Sequence, residues 1–249
     1  MTADVANAPL LRVAIDGPAG VGKTTTARRL ADRLGYLYVD TGAMYRALAL
    51  KALRNGLSVD DAAGCGRLAA ATDIALLPDG QGGARVVLDG EEVTAFIRTP
   101  EVSDGASRIA VHRAVRERMV DLQQSLNRRL VAEGSGTVME GRDIGTVVLP
   151  DAEVKVYLTA TPEERARRRW NELKERMGAA GTEGVGPEGG ISYADVLKQI
   201  LERDERDSGR KVDPLRPADD AVIVDSTAMD PDEQLEAILA LTKAPGRPQ

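Results

Sequence analysis

Cysteine and histidine are nearly absent from this 249-residue chain, which contains one of each, Cys65 and His112. A single cysteine excludes an internal disulfide and a cysteine-rich metal site. A single histidine excludes a multi-histidine metal site and disfavours a catalytic triad centred on histidine. Neither residue has neighbours at ligand spacing, so we expect Cys65 to be a small apolar or loop residue and His112 to stand at the start of a helix.

Long apolar segments are also missing. No apolar run approaches the roughly 20 residues that cross a bilayer as a helix, and residues 1–9 lack the charged start and apolar core of a signal peptide. We therefore expect a cytoplasmic protein without a membrane partner. Because no feature of the sequence requires a second copy, we also expect a monomer.

The chain has no excess of positive charge. Its formal net charge is −6, which argues against a general nucleic-acid-binding surface. The arginines are nevertheless concentrated in three segments, around residues 108–118, 165–169 and 203–210. Local arginine clusters on a negative chain suit a small anionic ligand better than a long polyanion.

The most informative segment that the chain does contain is rich in glycine. Residues 17–24 have the sequence GPAGVGKT and match the phosphate-binding loop G-x-x-x-x-G-K-[ST]. The apolar run at 10–15 predicts a buried strand before the loop, and the pattern over 24–34 predicts a helix after it, as the motif requires. Backbone N–H groups of such a loop surround phosphates, with Lys23 on the outer phosphates and the Thr24 hydroxyl on Mg²⁺.

Two other interpretations of this segment fit less well. A plain glycine turn between a strand and a helix does not require all four fixed positions of the motif, which are matched here in the expected context. A dinucleotide-binding G-x-G-x-x-G that starts at Gly20 fails because Thr25 stands where the third glycine belongs.

Four further apolar runs alternate with helical patterns. The predicted strands cover residues 36–40, 137–140, 154–158 and 221–225. The predicted helices cover residues 43–55, with Gly56 as a stop, 100–132, 162–177, 192–207 and 231–241. Five short apolar strands that alternate with helices predict an α/β fold in three layers, α/β/α, with a five-stranded parallel sheet, as in P-loop NTPases.

Residues 73–97 interrupt this alternation. Three short apolar runs separated by turn signals such as Asp89-Gly90 predict antiparallel hairpins. We therefore expect an inserted subdomain at about 67–107 and a core domain formed by 10–66 and 108–243.

The glycine-rich residues 178–190 lie between two charged helices. They predict either a helical lid over about 162–192 or a passive surface loop. Residues 1–9 and 244–249 predict disordered tails.

Two charged segments directly follow predicted strands. Residues 40–46 have the sequence DTGAMYR, and residues 140–143 have the sequence EGRD. Ligands of an open parallel sheet bind beyond the carboxyl ends of its strands, so we expect Thr41 and Arg46 to face a site where Arg46 grips phosphate oxygens. The EGRD segment places two carboxylates and an arginine beside the triphosphate, and one carboxylate would support Mg²⁺ through water. The plainer alternatives are a solvated arginine and a loop ion pair.

The third charged segment is RDERDSGR at residues 203–210. On a helix, Arg203, Asp207 and Arg210 fall on one face, where they would contact a sugar hydroxyl and a base edge. Taken alone, such a pattern more often marks a salt-bridged solvent face. The arginine-rich segment at 165–169 precedes the glycine-rich residues and would cover the transferring phosphoryl group on closure. The sequence gives no basis for choosing among Arg165, Arg167, Arg168 and Arg169.

Together these motifs resemble the bacterial cytidylate kinases, a family of nucleoside monophosphate kinases. The resemblance extends from about Leu11 to Leu241 and rests on five segments in the order of the family, IDGPAGVGKTT, DTGAMYRALAL, VTAFIRTPEVS, EGRDIGTVV and ERDERDSGRKVDPL. The last four are more specific than the phosphate loop and separate this family from adenylate and thymidylate kinases. Glu140 and Thr41 replace an aspartate and a serine of some members and preserve the type of chemistry.

The resemblance implies transfer of a phosphoryl group from ATP, with Mg²⁺, to CMP or dCMP. By position it implies that the ATP phosphates contact Gly17, Pro18, Ala19, Gly20, Val21, Gly22, Lys23, Thr24 and Thr25. It implies that the monophosphate approaches Thr41, Arg46, Arg142 and Arg116. It implies that cytosine is recognised by Ser107, Asp143 and Arg210, and that the ribose and phosphate side contacts Arg203 and Asp207. The residues 67–107 match the monophosphate-binding insert, and the groups expected to act on the transferring phosphoryl are Lys23, Arg46 and Arg142.

Other functions stay open. A P-loop kinase for another small phosphate acceptor, UMP first, would share most of these features. A GTP-dependent switch would need the N-K-x-D motif, which occurs nowhere in the chain. A nucleotide-binding module without catalysis is disfavoured because the arginine clusters imply a second anionic ligand.

Overall fold

The computed structural model describes residues 10–80, 83–179 and 192–243. The tails at 1–9 and 244–249, and the glycine-rich segment beyond residue 179, lie outside these ranges. The helices are α1 Lys23–Leu34, α2 Thr41–Arg54, α3 Ala62–Ala70, α4 Pro100–Ile109, α5 Arg113–Ala132, α6 Pro162–Ala179, α7 Tyr193–Ser208 and α8 Pro231–Thr242. The strands are β1 Arg12–Asp16, β2 Leu37–Asp40, β3 Ile74–Pro78, β4 Ala84–Leu88, β5 Glu91–Glu92, β6 Thr137–Gly141, β7 Val154–Thr159 and β8 Val222–Asp225. None of the helices in the described ranges is long and apolar enough to cross a membrane.

The main sheet confirms the predicted architecture. Its five strands are all parallel and follow the order β2-β6-β1-β7-β8. Central strand β1 is buried on both faces, which explains its continuous apolar sequence. Val13 and Ile15 pack toward α1 and α8, whereas Ala14 packs into the core on the other face, which contains α2 and α5.

Helix ends follow from capping residues. The Asp40 carboxylate accepts the Ala43 N–H at the start of α2, so the helix begins two residues earlier than predicted. Gly56, at φ 65°, follows the end of this helix as predicted. The helix predicted over 100–132 is wrong as a single element, because it breaks between α4 and α5, where His112 takes an extended conformation as the N-cap of α5.

Helix α3 was missed by the sequence analysis. Asp61 caps it by accepting the Gly64 N–H, but its short sequence AAGCGRLAA contains two glycines and no clear helical periodicity. Cys65 lies buried in this helix, as a small apolar residue and not as a loop residue.

The predicted hairpins form a second sheet of order β3-β4-β5, in which both pairs of strands are antiparallel. The apolar side chains of β3 and β4 lie in the same hydrophobic core as α2, and include Ile74, Leu76, Val86 and Leu88. The insert therefore shares its core with the helix that carries Arg46.

A π-helical turn at Ile144–Val148 follows β6. The carboxylate of Asp16, at the end of β1, accepts the N–H groups of Ile144 at 2.8 Å and Gly145 at 2.7 Å. Burial raises the pKa of Asp16 to about 7, although these two hydrogen bonds lower it. This contact connects the residue before the phosphate loop to the residues after Arg142 and Asp143.

Candidate active site

A cleft of about 1750 Å³ opens at the carboxyl ends of the parallel strands. The phosphate loop and the N-terminus of α1 line one end of it. The first turns of α2, the segment Glu140–Asp143, helix α4 and helix α7 line the other end. The cleft therefore brings together the three charged segments that are far apart in the sequence.

The phosphate loop has the backbone that its glycines permit. Gly20 at φ 76° and Gly22 at φ 97° are left-handed. Gly17 also has no room for a side chain, since a Cβ there would lie 2.0 Å from the Leu158 carbonyl oxygen. These positions explain why the motif requires glycine.

Lys23 is buried beneath this loop. Its ammonium group donates to the carbonyl oxygens of Gly17 and Pro18, both at 2.7 Å. Burial lowers the pKa of Lys23 well below its ordinary value, and the nearby charge of Arg142 lowers it further. An anion placed in the loop would relieve both effects.

Thr24 and Glu140 form the place where a divalent cation fits. The Tyr38 hydroxyl donates to the Glu140 carboxylate at 2.5 Å, and the Thr24 hydroxyl lies close enough to the same carboxylate to lower its pKa. Burial and the charge of Asp40 raise the pKa of Glu140, while Lys23 and the hydroxyl groups of Tyr38 and Thr24 lower it.

Within the described ranges, no cluster of three His, Cys, Asp or Glu side chains is placed to hold a metal. Mg²⁺ usually needs only one or two protein oxygens beside substrate phosphates and water. The hydroxyl of Thr24 and the carboxylate of Glu140, next to a phosphate loop, fit that requirement.

The junction of β2 and α2 places Arg46 in the cleft. Its Nη2 atom pairs with the Asp40 carboxylate at 2.6 Å, and a Cβ on Gly42 would lie 3.1 Å from its Nη1 atom. The Thr41 hydroxyl is buried and donates to the Glu140 carbonyl oxygen at 2.7 Å. The guanidinium of Arg46 is therefore paired with one carboxylate, through Nη2, and lines the cleft.

A second group of arginines faces Arg46 from α7 and the β6 loop. Arg142 pairs with Asp207 at 2.9 Å, and Arg203 approaches the same carboxylate at 3.9 Å. Burial lowers the pKa of Arg203 to about 10, and the charges of Arg142 and Arg46 add to this effect. Burial would raise the pKa of Asp207, but the surrounding arginines hold it below its ordinary value. The cluster has more positive than negative charge.

Arg210 lies beyond the end of α7, so the prediction that it shares a helical face with Arg203 and Asp207 is wrong. The helix ends at Ser208, with Gly209 as its C-cap. The chain nevertheless turns back, and Arg210 is buried in the wall of the same cleft.

The inner wall of the cleft contains a buried ion pair between Arg116 and Asp143. Arg116 also pairs with Asp213 at 2.9 Å through its Nε atom. Burial raises the pKa of Asp143 even though Arg116 and Arg210 lower it. Arg116 is thus engaged by two carboxylates, and Ser107 is buried in the same wall.

Several buried polar atoms around the cleft have no hydrogen-bond partner among the described residues. They are Tyr45 OH, Arg46 Nε, Ser107 Oγ, Arg203 Nε, and Nε and Nη2 of Arg210. Unpaired buried polar atoms are costly, at about 1–3 kcal/mol each. Their concentration in one cleft indicates a polar, anionic ligand.

The four arginines of α6 divide into two kinds. Arg165 is buried, pairs with Asp204 at 2.6 Å and donates to the Ala19 carbonyl oxygen, so it supports the phosphate loop from behind. The other three line the cleft and are Arg167, Arg168 and Arg169. Arg168 is also tied to the Ser226 carbonyl oxygen at 2.6 Å.

Sequence analysis missed Tyr38, Asp16, Tyr45 and Asp213. Tyr45 lies inside the DTGAMYR segment, one residue before Arg46. Asp213 has a positive φ of 47° and precedes a proline, which is a turn signal in an otherwise charged segment. Asp16 is a charged residue at the end of an apolar strand. Its position directly before the phosphate loop could have marked it as a residue of the site.

Comparison with known proteins gives a consistent result. The family model described as cytidylate kinase matches residues 13–244. The cytidylate kinase of Pelotomaculum thermopropionicum is 50% identical over 232 residues, which cover 93% of this chain and 96% of the relative. The cytidylate kinase of Carboxydothermus hydrogenoformans is 45% identical over 231 residues, with 93% and 96% covered.

Solved structures with a similar outline share little sequence with the chain. A gluconokinase from Sinorhizobium meliloti is 15% identical with a TM-score of 0.43 and coverage of 95% and 94%. The shikimate kinase from Bacteroides thetaiotaomicron is 14% identical with a TM-score of 0.41 and coverage of 92% and 94%. Likenesses at this level say nothing about function.

Proposed function

Because the chain belongs to the cytidylate kinase family, we propose that it transfers the γ-phosphoryl group of ATP to CMP or dCMP, giving ADP and CDP or dCDP. The observation that carries this proposal is the second cationic cluster, Arg46, Arg142 and Arg203, which faces the phosphate loop across one cleft. A phosphate loop alone binds one anion. A second anion site opposite it is what a kinase with a phosphate acceptor requires.

The donor end consists of residues 17–25. Their backbone N–H groups and the N-terminus of α1 surround the ATP phosphates, and Lys23 reaches the outer phosphates. Thr24 and Glu140 would hold Mg²⁺, which when bound would supply positive charge against the phosphates.

The acceptor phosphate lies among Arg46, Arg142 and Arg203. Burial and the charges of Arg142 and Arg46 lower the pKa of Arg203, and an anion that enters the cluster favours its charged form. Asp207, held by Arg142, is placed to accept from a ribose hydroxyl. The Thr41 hydroxyl fixes the Glu140 backbone and so supports this end indirectly.

The base lies against the inner wall. Cytosine carries an amino donor at C4, which the Asp143 carboxylate accepts. Uracil presents a carbonyl there, so two acceptors would face each other at a cost of about 1–3 kcal/mol. Arg116 holds Asp143 in place, and the unpaired atoms of Ser107 and Arg210 bind the other polar atoms of the base edge.

No general base is needed in this mechanism. A phosphate has its second pKa at about 6, so the acceptor oxygen is largely ionised near neutral pH. Catalysis then consists of positioning two anions and stabilising the charge on the transferring group. Lys23, Arg46 and Arg142 supply that stabilisation, and all of them come from one chain, so a monomer is sufficient.

The test is a coupled ADP-release assay with ATP and Mg²⁺ that offers CMP, dCMP, UMP, AMP and dTMP separately. We expect strong turnover with CMP and dCMP and little with the other acceptors. Preference for another acceptor would keep the transfer mechanism and reject the roles of Ser107, Asp143 and Arg210. No turnover with any acceptor would favour a nucleotide-binding module, which calorimetry would identify by ATP binding without CMP binding.

A further inference from the structure

Tyr38 makes a contact with the cleft that the mechanism above does not use. It lies on the edge strand β2, which pairs with β6 so that Asp40 is opposite Glu140. Because side chains alternate along a strand, Tyr38, Asp40 and Glu140 point to the same face of the sheet. The Tyr38 hydroxyl donates to Oε1 of Glu140 at 2.5 Å.

Glu140 is a long side chain in a buried position. It has more freedom to rotate than an aspartate, and its carboxylate lies near both the negative Asp40 and the positive Lys23. The Tyr38 hydroxyl of β2 donates to this carboxylate, and the Thr24 hydroxyl of α1 lies close to it. Hydrogen bonds to a carboxylate are among the stronger ones, so the bond from Tyr38 restricts the orientation of the carboxylate beside Thr24.

We propose that Tyr38 is a positioning residue that holds the Glu140 carboxylate toward Thr24 and thereby sets the affinity of the chain for the Mg²⁺ that accompanies ATP. This inference rests on the proposed function, because it assumes that Thr24 and Glu140 are the protein groups at the metal. Residues outside the ligand set that orient a metal ligand typically contribute about 10–100-fold in affinity.

The chain offers a conservative variant and a matched control. Tyr38→Phe removes one hydroxyl and keeps the ring that packs against the core next to α1. Tyr36 packs against the same core two residues earlier, but its hydroxyl accepts the Leu11 N–H at 3.3 Å, at the amino end of the sheet. Tyr36→Phe therefore makes the same chemical change away from the cleft.

The experiment measures nucleotide binding without an acceptor. A non-hydrolysable ATP analogue with a methylene group between the β- and γ-phosphorus atoms is titrated by calorimetry at increasing free Mg²⁺ and in excess EDTA. We expect Tyr38→Phe to raise the Mg²⁺ concentration for half-maximal binding roughly tenfold, with unchanged binding in EDTA. Tyr36→Phe should match the wild type in both conditions.

A double substitution tests whether Tyr38 changes the Mg²⁺ requirement through the Glu140 carboxylate. In a Glu140→Gln background, Tyr38→Phe should add no further change, because the carboxylate that it positions is already gone. The inference is overturned by an unchanged Mg²⁺ requirement in Tyr38→Phe, by an equal loss of binding with and without Mg²⁺, or by a full effect in the Glu140→Gln background.

The experiments distinguish a failure of the proposed kinase activity from a failure of the role of Tyr38. A wild-type chain that turns over no acceptor, yet needs more Mg²⁺ for analogue binding after Tyr38→Phe, would reject the kinase activity and keep the role of Tyr38. Turnover of CMP with an unchanged Mg²⁺ requirement in the variant would reject only the role of Tyr38.

Discussion

The two ends of the cleft are built in different ways. The donor end comes from one continuous segment, residues 17–25, whose geometry depends on glycines within it and on the helix that follows. The acceptor end combines side chains from α2, α4, α5, α7 and the β6 loop. The backbone of the first end depends mainly on its own segment, with support from Arg165 of α6 and Glu140 of β6. The second end is assembled by tertiary packing, so substitutions in the two ends should have separable effects.

The largest expected effect comes from the donor end. Lys23→Ala should lower kcat roughly 100- to 1000-fold, because it removes the cation that we propose reaches the outer phosphates. The loss should be equal for CMP and dCMP, since Lys23 touches neither acceptor. Steady-state kinetics with both acceptors measure this, and circular dichroism checks the fold. A loss that differs between acceptors would contradict the separation of the two ends.

Arg203→Met should act on the acceptor alone. It removes one charge-assisted contact and should raise the KM for CMP about 10- to 100-fold, with little change in the KM for ATP. Because burial and Arg142 already disfavour the charge of Arg203, the ligand-free variant should be as stable as the wild type or more so. Thermal unfolding measures that second outcome, and a clear fall in Tm would contradict it.

A smaller effect is expected from the base wall. Asp143→Ala should lower kcat/KM for CMP roughly tenfold or more and narrow the CMP/UMP ratio. Asp213→Ala is the matched control, because Asp213 also pairs with Arg116 but from a more exposed position. Asp213→Ala should keep most of the preference for CMP over UMP. An unchanged CMP/UMP ratio in Asp143→Ala would remove Asp143 from base recognition.

The last prediction concerns stability and not turnover, and it tests Asp16, which joins the two ends. Its pKa of about 7 in the folded chain exceeds the value of about 3.9 expected on unfolding, so the folded state binds the proton more tightly. Stability from Asp16 is therefore complete below about pH 4 and is lost as the pH rises toward 7, by at most about 1.4 kcal/mol per pH unit.

Asp16→Asn does not titrate and serves as the reference for that prediction. Urea unfolding of both proteins from pH 4.5 to 8 should give a wild type that becomes progressively less stable relative to the variant up to about pH 7. A constant difference in the free energy of unfolding over this range would rule out the raised pKa.

The contrast between the two ends also explains what sequence analysis could achieve. The phosphate loop, its strand and its helix were predicted because each depends on neighbours in the chain. All five parallel strands were found from short apolar runs. The π-helical turn at Ile144–Val148 was missed, since it depends on the contacts of Asp16 with distant N–H groups. The expectation that His112 stands at the start of a helix is confirmed, but the break that this start makes in the helix predicted over 100–132 was missed.

Side-chain contacts between neighbouring strands could not be predicted from the sequence for a related reason. The hydrogen bond from Tyr38 to Glu140 exists because β2 pairs with β6 in one register, although 102 positions separate these residues. Alternation predicts which face a side chain occupies but does not predict which strand lies beside it. Arg210 reached the cleft for the same kind of reason, through a turn after α7 and not through helical spacing.

The shared core of α2 and the insert has a further consequence. The apolar residues of β3 and β4 belong to the same buried cluster as Met44 and Leu48 of α2. Removing the insert would leave that side of α2 in contact with water as a continuous apolar patch, which favours aggregation. We therefore expect the insert and the core to unfold together as one cooperative unit, and not as separable modules.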